Sequence, residues 1–206
     1  MASYNFYFIF LNLFVIWNVK RCRMKILFLA AVDFELDVAR RAWAGSDAVF
    51  LIGGVGEAAT RQSLEAALCA ADEAGSPFGR VVDIGIAGGC TPDYPIGAVA
   101  HVVTEHHGDR PGPWLRNPDP WPALDFLPQA AGRTLQELDD RWRGEPAGVE
   151  SMEGATVFET CLQHGVPFAE IRAVSNLTGE RDHARWNIPL ALERLENALI
   201  RLKNER

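Results

Sequence analysis

Carboxylates, one glycine-rich turn and one asparagine are the residues of this 206-residue chain whose types and spacing could do chemistry. Asp33 and Glu35 follow an apolar run, Glu105 closes another, and Met152-Glu153 follow a third. Carboxylates so placed can take or give protons in catalysis. They can equally occupy the first turn of a helix, where the positive end of the macrodipole favours them. Residue type alone leaves both readings of Glu35 and Glu153 open. Asn176 can donate to one group and accept from another, or simply sit in a turn after a strand. Gly54-Val55-Gly56-Glu57-Ala58-Ala59 satisfies the GxGxxA pattern that cradles a pyrophosphate. That pattern also wants an acidic residue ending the next strand, about 20 residues on. Asp72 and Glu73 fall in a helix-like segment and Asp83 inside a strand-like one, so an NAD-binding oxidoreductase is the distant alternative.

No metal or cofactor is expected. Cys22, Cys69, Cys90 and Cys161 show no CxxC or CxxH spacing and read as reduced thiols of a cytoplasmic protein. His106 and His107, adjacent at a strand end with His101 nearby, point to opposite sides of it. With Lys plus Arg at 20 against Asp plus Glu at 27, the net charge is −7, and no basic stripe exists for nucleic acid.

The elements that must position these residues alternate. Strands are predicted over 25–32, 48–52, 80–86, 96–105, 147–152 and 168–175, and helices over 35–44, 57–74, 134–143, 153–164 and 188–203. Residues 108–122 carry five prolines with Trp114 and Trp121, which predicts an ordered loop over a pocket or a partner surface. Such alternation predicts an α/β fold with a mostly parallel sheet and a ligand site at the carboxyl ends of the strands. Residues 4–17 are strongly apolar but too short to span a bilayer, and the positive charges follow the run instead of preceding it. Residues 1–23 are therefore read as a non-core extension, residues 24–206 as one domain, and membrane association is not expected; a short signal anchor is the alternative.

A longer pattern joins these pieces. Val149-Glu150-Ser151-Met152-Glu153-Gly154-Ala155, then Ile171-Arg172-Ala173-Val174-Ser175-Asn176, then Gly179-Glu180-Arg181-Asp182, Trp186 and Ile188-Pro189 resemble the nucleoside phosphorylase and nucleosidase superfamily. Within it, the SMEG and SN-x-x-GERD forms resemble the futalosine hydrolases of menaquinone biosynthesis. The first strand, Gly54-Val55-Gly56 and Gly85-Ile86-Ala87-Gly88-Gly89 match in order, while 108–148 matches poorly. The resemblance implies a nucleoside phosphorylase-like mixed, mostly parallel sheet flanked by helices, a purine nucleoside substrate, and a homo-oligomer, by resemblance a dimer.

It also implies roles. Glu35 would activate water, Glu153 would hold the ribose hydroxyls above Met152, and Asn176 would meet the base, with Ala87 and Gly88 in the substrate-binding turn. Asp182 would either protonate the leaving base, pair with Arg181, or cap the last helix. An amide at 176 suits a 6-oxopurine, which shows the adjacent acceptors N7 and O6, better than adenine. Asp83, where related phosphorylases often carry Arg, would repel phosphate and so favour water. Arg133-Thr134-Leu135 is a remnant of a strand that contributes base contacts in the family. A methylthioadenosine/S-adenosylhomocysteine-type nucleosidase and an inactive purine-binding relative are the alternatives.

Overall fold

The structure, a computed structural model, describes residues 25–108, 112–137 and 148–205. Expectations for residues 1–23, and for a helix beyond 137, lie outside the described residues. Strand β1 (Ile26–Ala30) is buried along its whole length, as its unbroken apolar sequence requires. It lies between β2 (Val49–Ile52) and β3 (Arg80–Gly89), parallel to both. Then come β4 (Val99–His107), β5 (Leu115–Arg116), β6 (Gln129–Thr134), β7 (Val149–Ser151) and β8 (Phe168–Leu177). The helices are α1 (Asp33–Ala42), α2 (Glu57–Glu73), α3 (Gly154–His164) and α4 (Ile188–Glu205).

The sheet order is β2-β1-β3-β7-β6-β4-β5, and β8 pairs with both β3 and β4. Strands β3, β7, β6, β4 and β8 therefore close into a ring, from which β1 and β2 extend as a parallel wing. Five of the eight pairings are parallel, which is the mixed, mostly parallel sheet expected. Closure hides the edges of the ring strands. Among the described residues, no helix is long and apolar enough to cross a membrane.

Two apolar layers hold the sheet. One joins Phe28, Leu36, Trp43, Ile84, Ile171, Leu195 and Leu199, so α1 and α4 cover one face. The other joins Leu27, Leu29, Leu64, Leu68, Phe158 and Phe168, under α2 and α3. Each fully buried side chain of this kind contributes roughly 1.5–3 kcal/mol.

One expectation needs correcting. The helix expected from Thr134 does not begin there. Thr134 ends strand β6, and Leu135–Glu137 are not helical. The segment QAAGRT hides its strand character because its small residues have little β propensity of their own. They are small because Glu105 lies against them: a Cβ on Gly132 would collide with the Glu105 carboxylate. The proline-rich segment, expected as an ordered loop over a pocket or a partner surface, lines a hollow through Asn117, Pro118 and Asp119. It contributes β5 at the edge of β4, then a 3-10 turn at Pro122–Leu124, and Trp121 packs against the core beneath the Arg80 guanidinium, 4.8 Å from its ring centre.

Gly132→Ala is accordingly expected to cost about 1–3 kcal/mol, since Glu105 is buried and bonded to the Thr134 hydroxyl. Urea unfolding measures it; wild-type stability would show that the carboxylate can swing aside.

Candidate active site

The first turn of α1 carries Asp33 and Glu35, and the helix-start reading holds for both as a matter of position. Their surroundings differ. Asp33 faces solvent and pairs with Arg40, whereas Glu35 is only 4% exposed and turns inward onto β3. Its Oε1 accepts the Ile86 N–H at 2.8 Å. Gly85, just before, makes the approach possible. A Cβ there would stand 2.9 Å from Glu35 Oε1 and 2.5 Å from Arg172 Nη1, so carboxylate and guanidinium meet over this glycine.

Arg172, on β8, is fully buried. It donates to the Asp83 carboxylate through Nη2 and to Glu170 Oε1 at 2.7 Å through Nε. The flanking carboxylates hold it firmly protonated despite burial. Burial pushes the Glu35 carboxyl above its ordinary range; the Ile86 N–H and the Arg172 charge pull back, and the nearby Glu153 charge adds to the rise. A carboxylate with a raised pKa is a stronger base than an exposed one.

Glu153 stands between β7 and α3, 7% exposed. Its Oε1 accepts the Gly56 N–H at 2.9 Å, across 97 residues of sequence. Gly54 and Gly56 both have φ near +85°, which suits glycine and lets the turn aim this N–H inward. Asn176 belongs to β8 rather than to a turn, with Gly88 as its partner on β3 after a bulge. Its Oδ1 accepts the Ser175 hydroxyl at 2.7 Å and its Nδ2 donates to the Leu177 carbonyl at 3.0 Å. The second N–H of the amide remains for a ligand.

Glu35, Ala87, Met152, Glu153 and Asn176 all line one cavity of about 200 Å³, where Ile86 and Ala87 belong to β3. Gly88 is next along this strand. Phe34, Val55, Leu135 and Trp186 give the cavity apolar walls that residue type alone does not single out. Leu135 lies just past β6, so the poorly matching 108–148 stretch does bring a strand to the cavity. A wider, shallow hollow along α2, lined by Glu57, Arg61, Glu65 and Cys69, contains none of these groups.

Asp182 is not brought to the cavity. Its side chain is exposed, caps the 3-10 turn His183–Arg185 through the Ala184 N–H at 3.0 Å, and lies 3.6 Å from Arg185. Asp83 is likewise not at the cavity but locked to Arg172 in the interior, so it cannot itself repel an incoming anion. The discrimination comes from elsewhere: Glu35, Glu137, Glu150 and Glu153 line the cavity, and among the described residues no Lys or Arg does. The glycine turn does not suit a dinucleotide either. Its Gly56 N–H is engaged by Glu153, and Glu57, the first residue of α2, is held by Gln136 and His107, so a pyrophosphate would meet two carboxylates.

A model of the phosphorylase superfamily matches residues 128–204, which include β6, β7, β8 and α4. Futalosine hydrolase from Streptomyces coelicolor is 31% identical over 166 residues, 62% of this chain and 66% of that protein. The match thus spans just under two thirds of that relative. A futalosine hydrolase mutant of Helicobacter pylori superposes with a TM-score of 0.75 at 14% identity, covering 89% of this chain and 100% of that one. A methylthioadenosine/S-adenosylhomocysteine nucleosidase from Colwellia psychrerythraea, in complex with adenine, gives 0.75 at 17% identity, covering 88% and 95%. Residues 128–204 thus resemble the phosphorylase superfamily, and the fold over 88–89% of the chain is that of the solved nucleosidases. Its nucleosidase-like architecture explains why the superfamily motifs, separate in sequence, meet around β3.

The burial of the Glu35 carboxylate has a testable consequence for stability. Glu35 keeps its proton to higher pH when folded than when unfolded, so its contribution is most favourable at low pH and is lost as pH rises through the folded value. Glu35→Gln should therefore melt above wild type at neutral pH, with the gap closing as pH falls toward 4.5 and below. Equal melting temperatures at neutral pH would show that the buried charge carries no net cost.

Proposed function

We propose that this protein is a purine nucleosidase that hydrolyses the N-glycosidic bond of futalosine, releasing hypoxanthine, with water as the nucleophile. The observation that carries the reading is the meeting of Glu35, Glu153 and Asn176 at one cavity against the Ile86–Ala87 backbone. The futalosine hydrolase relatives support the same substrate.

In this reading a nucleoside lies across the end of β3. Glu153, its Oε1 already fixed by the Gly56 N–H, accepts hydrogen bonds from the ribose 2′- and 3′-hydroxyls, and Met152 packs under the sugar. Glu35 holds a water on the other side of the anomeric carbon. As the C1′–N9 bond loosens the sugar gains oxocarbenium character, which the neighbouring carboxylates stabilise. The water oxygen bonds to C1′, its proton passes to Glu35, and the electron pair of the broken bond leaves with the base. Asn176 Nδ2–H donates into the N7/O6 edge, where that charge accumulates, and the departing hypoxanthine takes a proton from solvent. An amide stabilises the leaving group without supplying the proton, so no part in the transfer is given to Asp182.

Water rather than phosphate fits a cavity lined by four carboxylates and, among the described residues, by no basic side chain. A phosphate dianion has nothing there to hold it.

Purified full-length protein incubated with futalosine, aminodeoxyfutalosine, methylthioadenosine and inosine, with and without phosphate, should release hypoxanthine from futalosine fastest and independently of phosphate. Chromatography of the freed base reads the result. Bound purine with no base released from any of the four would identify a non-catalytic relative instead. Glu35→Gln should lower turnover by roughly 10²–10⁴-fold while binding purine normally; unchanged turnover would remove Glu35 from the mechanism. Asn176→Asp should raise the ratio of adenine to hypoxanthine nucleosides cleaved, and a constant ratio would defeat the argument from the base edge.

A further inference from the structure

Behind the cavity, Asp83, Glu105, Glu170 and Arg172 form a cluster in which no member is more than 1% exposed. The guanidinium answers two of the three carboxylates, Asp83 through Nη2 and Glu170 through Nε. Glu105, on β4, is bonded to no cation among the described residues. Three ionised carboxylates around one cation, shut away from water, would leave two charges uncompensated, and a group so placed takes up a proton instead. The oxygens show which one. Glu105 Oε2 accepts the Thr134 hydroxyl at 3.0 Å and the His106 N–H at 3.2 Å. Oε1 receives no hydrogen bond from any described residue. It stands over Gly154, where a Cβ would be 2.5 Å from it and 2.7 Å from Glu170 Oε1, so the two carboxyl groups converge on one point.

We infer that Glu105 is a positioning residue: as a neutral acid it donates its Oε1–H to the Glu170 carboxylate across Gly154, and so steadies the Nε side of Arg172, which faces Glu35. Two carboxylates at this point would repel each other, whereas a carboxyl and a carboxylate share a proton. The bond also explains why Oε1 has no donor of its own. Burial and then the Glu170 charge push the Glu105 carboxyl well above its ordinary range, while the Thr134 hydroxyl, the Arg172 charge and the His106 N–H pull back. The other titrating groups nearby do not supply the proton's counter-charge. Asp83 of β3 lies beyond the guanidinium, Glu153 at the start of α3 adds negative charge, and burial keeps the Cys161 thiol of α3 neutral. The link to Glu35 rests on the nucleosidase reading above; the shared proton does not.

Infrared spectroscopy of the full chain near neutral pH should show the carbonyl stretch of a protonated carboxyl group, and Glu105→Gln should lose the intensity of one such group. Unfolding in urea gives a second readout. Glu105 keeps its proton to higher pH when folded than when unfolded, so it favours the fold most at low pH, and that contribution is lost as pH rises through the folded value. One retained proton makes the unfolding constant rise about tenfold per pH unit. Glu105→Gln, which keeps a donor but cannot titrate, should remove about that much of the slope between about pH 5 and 7. A wild type without the carboxyl band overturns the inference, and so does a Gln variant that keeps the full band or the full slope. For the positioning role, Glu105→Met, which has no donor, should lower kcat on futalosine roughly tenfold or more with little change in KM, and Glu105→Gln should recover most of that loss. Equal losses in the two variants would mark a purely structural residue and overturn that role. If wild type releases base from no nucleoside, the hydrolase reading falls, while band and slope still decide the proton at Glu105.

Discussion

The hydrogen bond from the Ile86 amide to Glu35 is the contact on which the site depends. Without it, a glutamate in the first turn of α1 would do what Asp33 does beside it, reaching into solvent to pair with a neighbouring arginine. With it, a carboxylate is drawn out of water and set against the middle of a strand. The approach requires Gly85 to lack a side chain and requires a positive charge behind, which Arg172 supplies. An ionised carboxylate buried without such company would cost several kcal/mol. One amide, one missing methyl group and one guanidinium thus turn a residue of the first helical turn into a buried carboxylate at the cavity.

The interior behind the cavity carries the charge this arrangement demands. Arg172 is shared between Asp83 and Glu170, and burial raises the proton affinity of both acids and of Glu105. Replacing such a network by apolar side chains is often neutral or favourable for stability. Its presence here is better understood from what it supports: a cation held at a fixed point beneath Gly85, insulated from solvent, and facing the Glu35 carboxylate.

The sequence makes the helices and the parallel wing legible because their signals are local. An unbroken apolar run marks β1, and helical spacing with Gly75 and Gly165 at the ends marks α2 and α3. The ring strands are harder to see. QAAGRT reads as anything but a strand, since its small residues answer to Glu105, whose position no local pattern reveals. The same holds at the site. Glu35, Met152, Glu153 and Asn176 are visible because family motifs carry them. Arg172 lies inside the Ile171–Asn176 motif, but the reason it matters is its contact over Gly85. Asp83 and Asp182 mislead for the complementary reason: a carboxylate in the right stretch of sequence can face the interior or the solvent, and only packing decides which.

The bond between the Gly56 amide and the Glu153 side chain spans 97 positions of the chain. Its donor lies outside the superfamily-matched stretch 128–204, and its acceptor lies within it. The segment bearing the most recognisable signature therefore cannot aim its own acid. A protein that kept those C-terminal letters but lost the glycine bend upstream would still look like kin on paper, with its Glu153 carboxylate left slack.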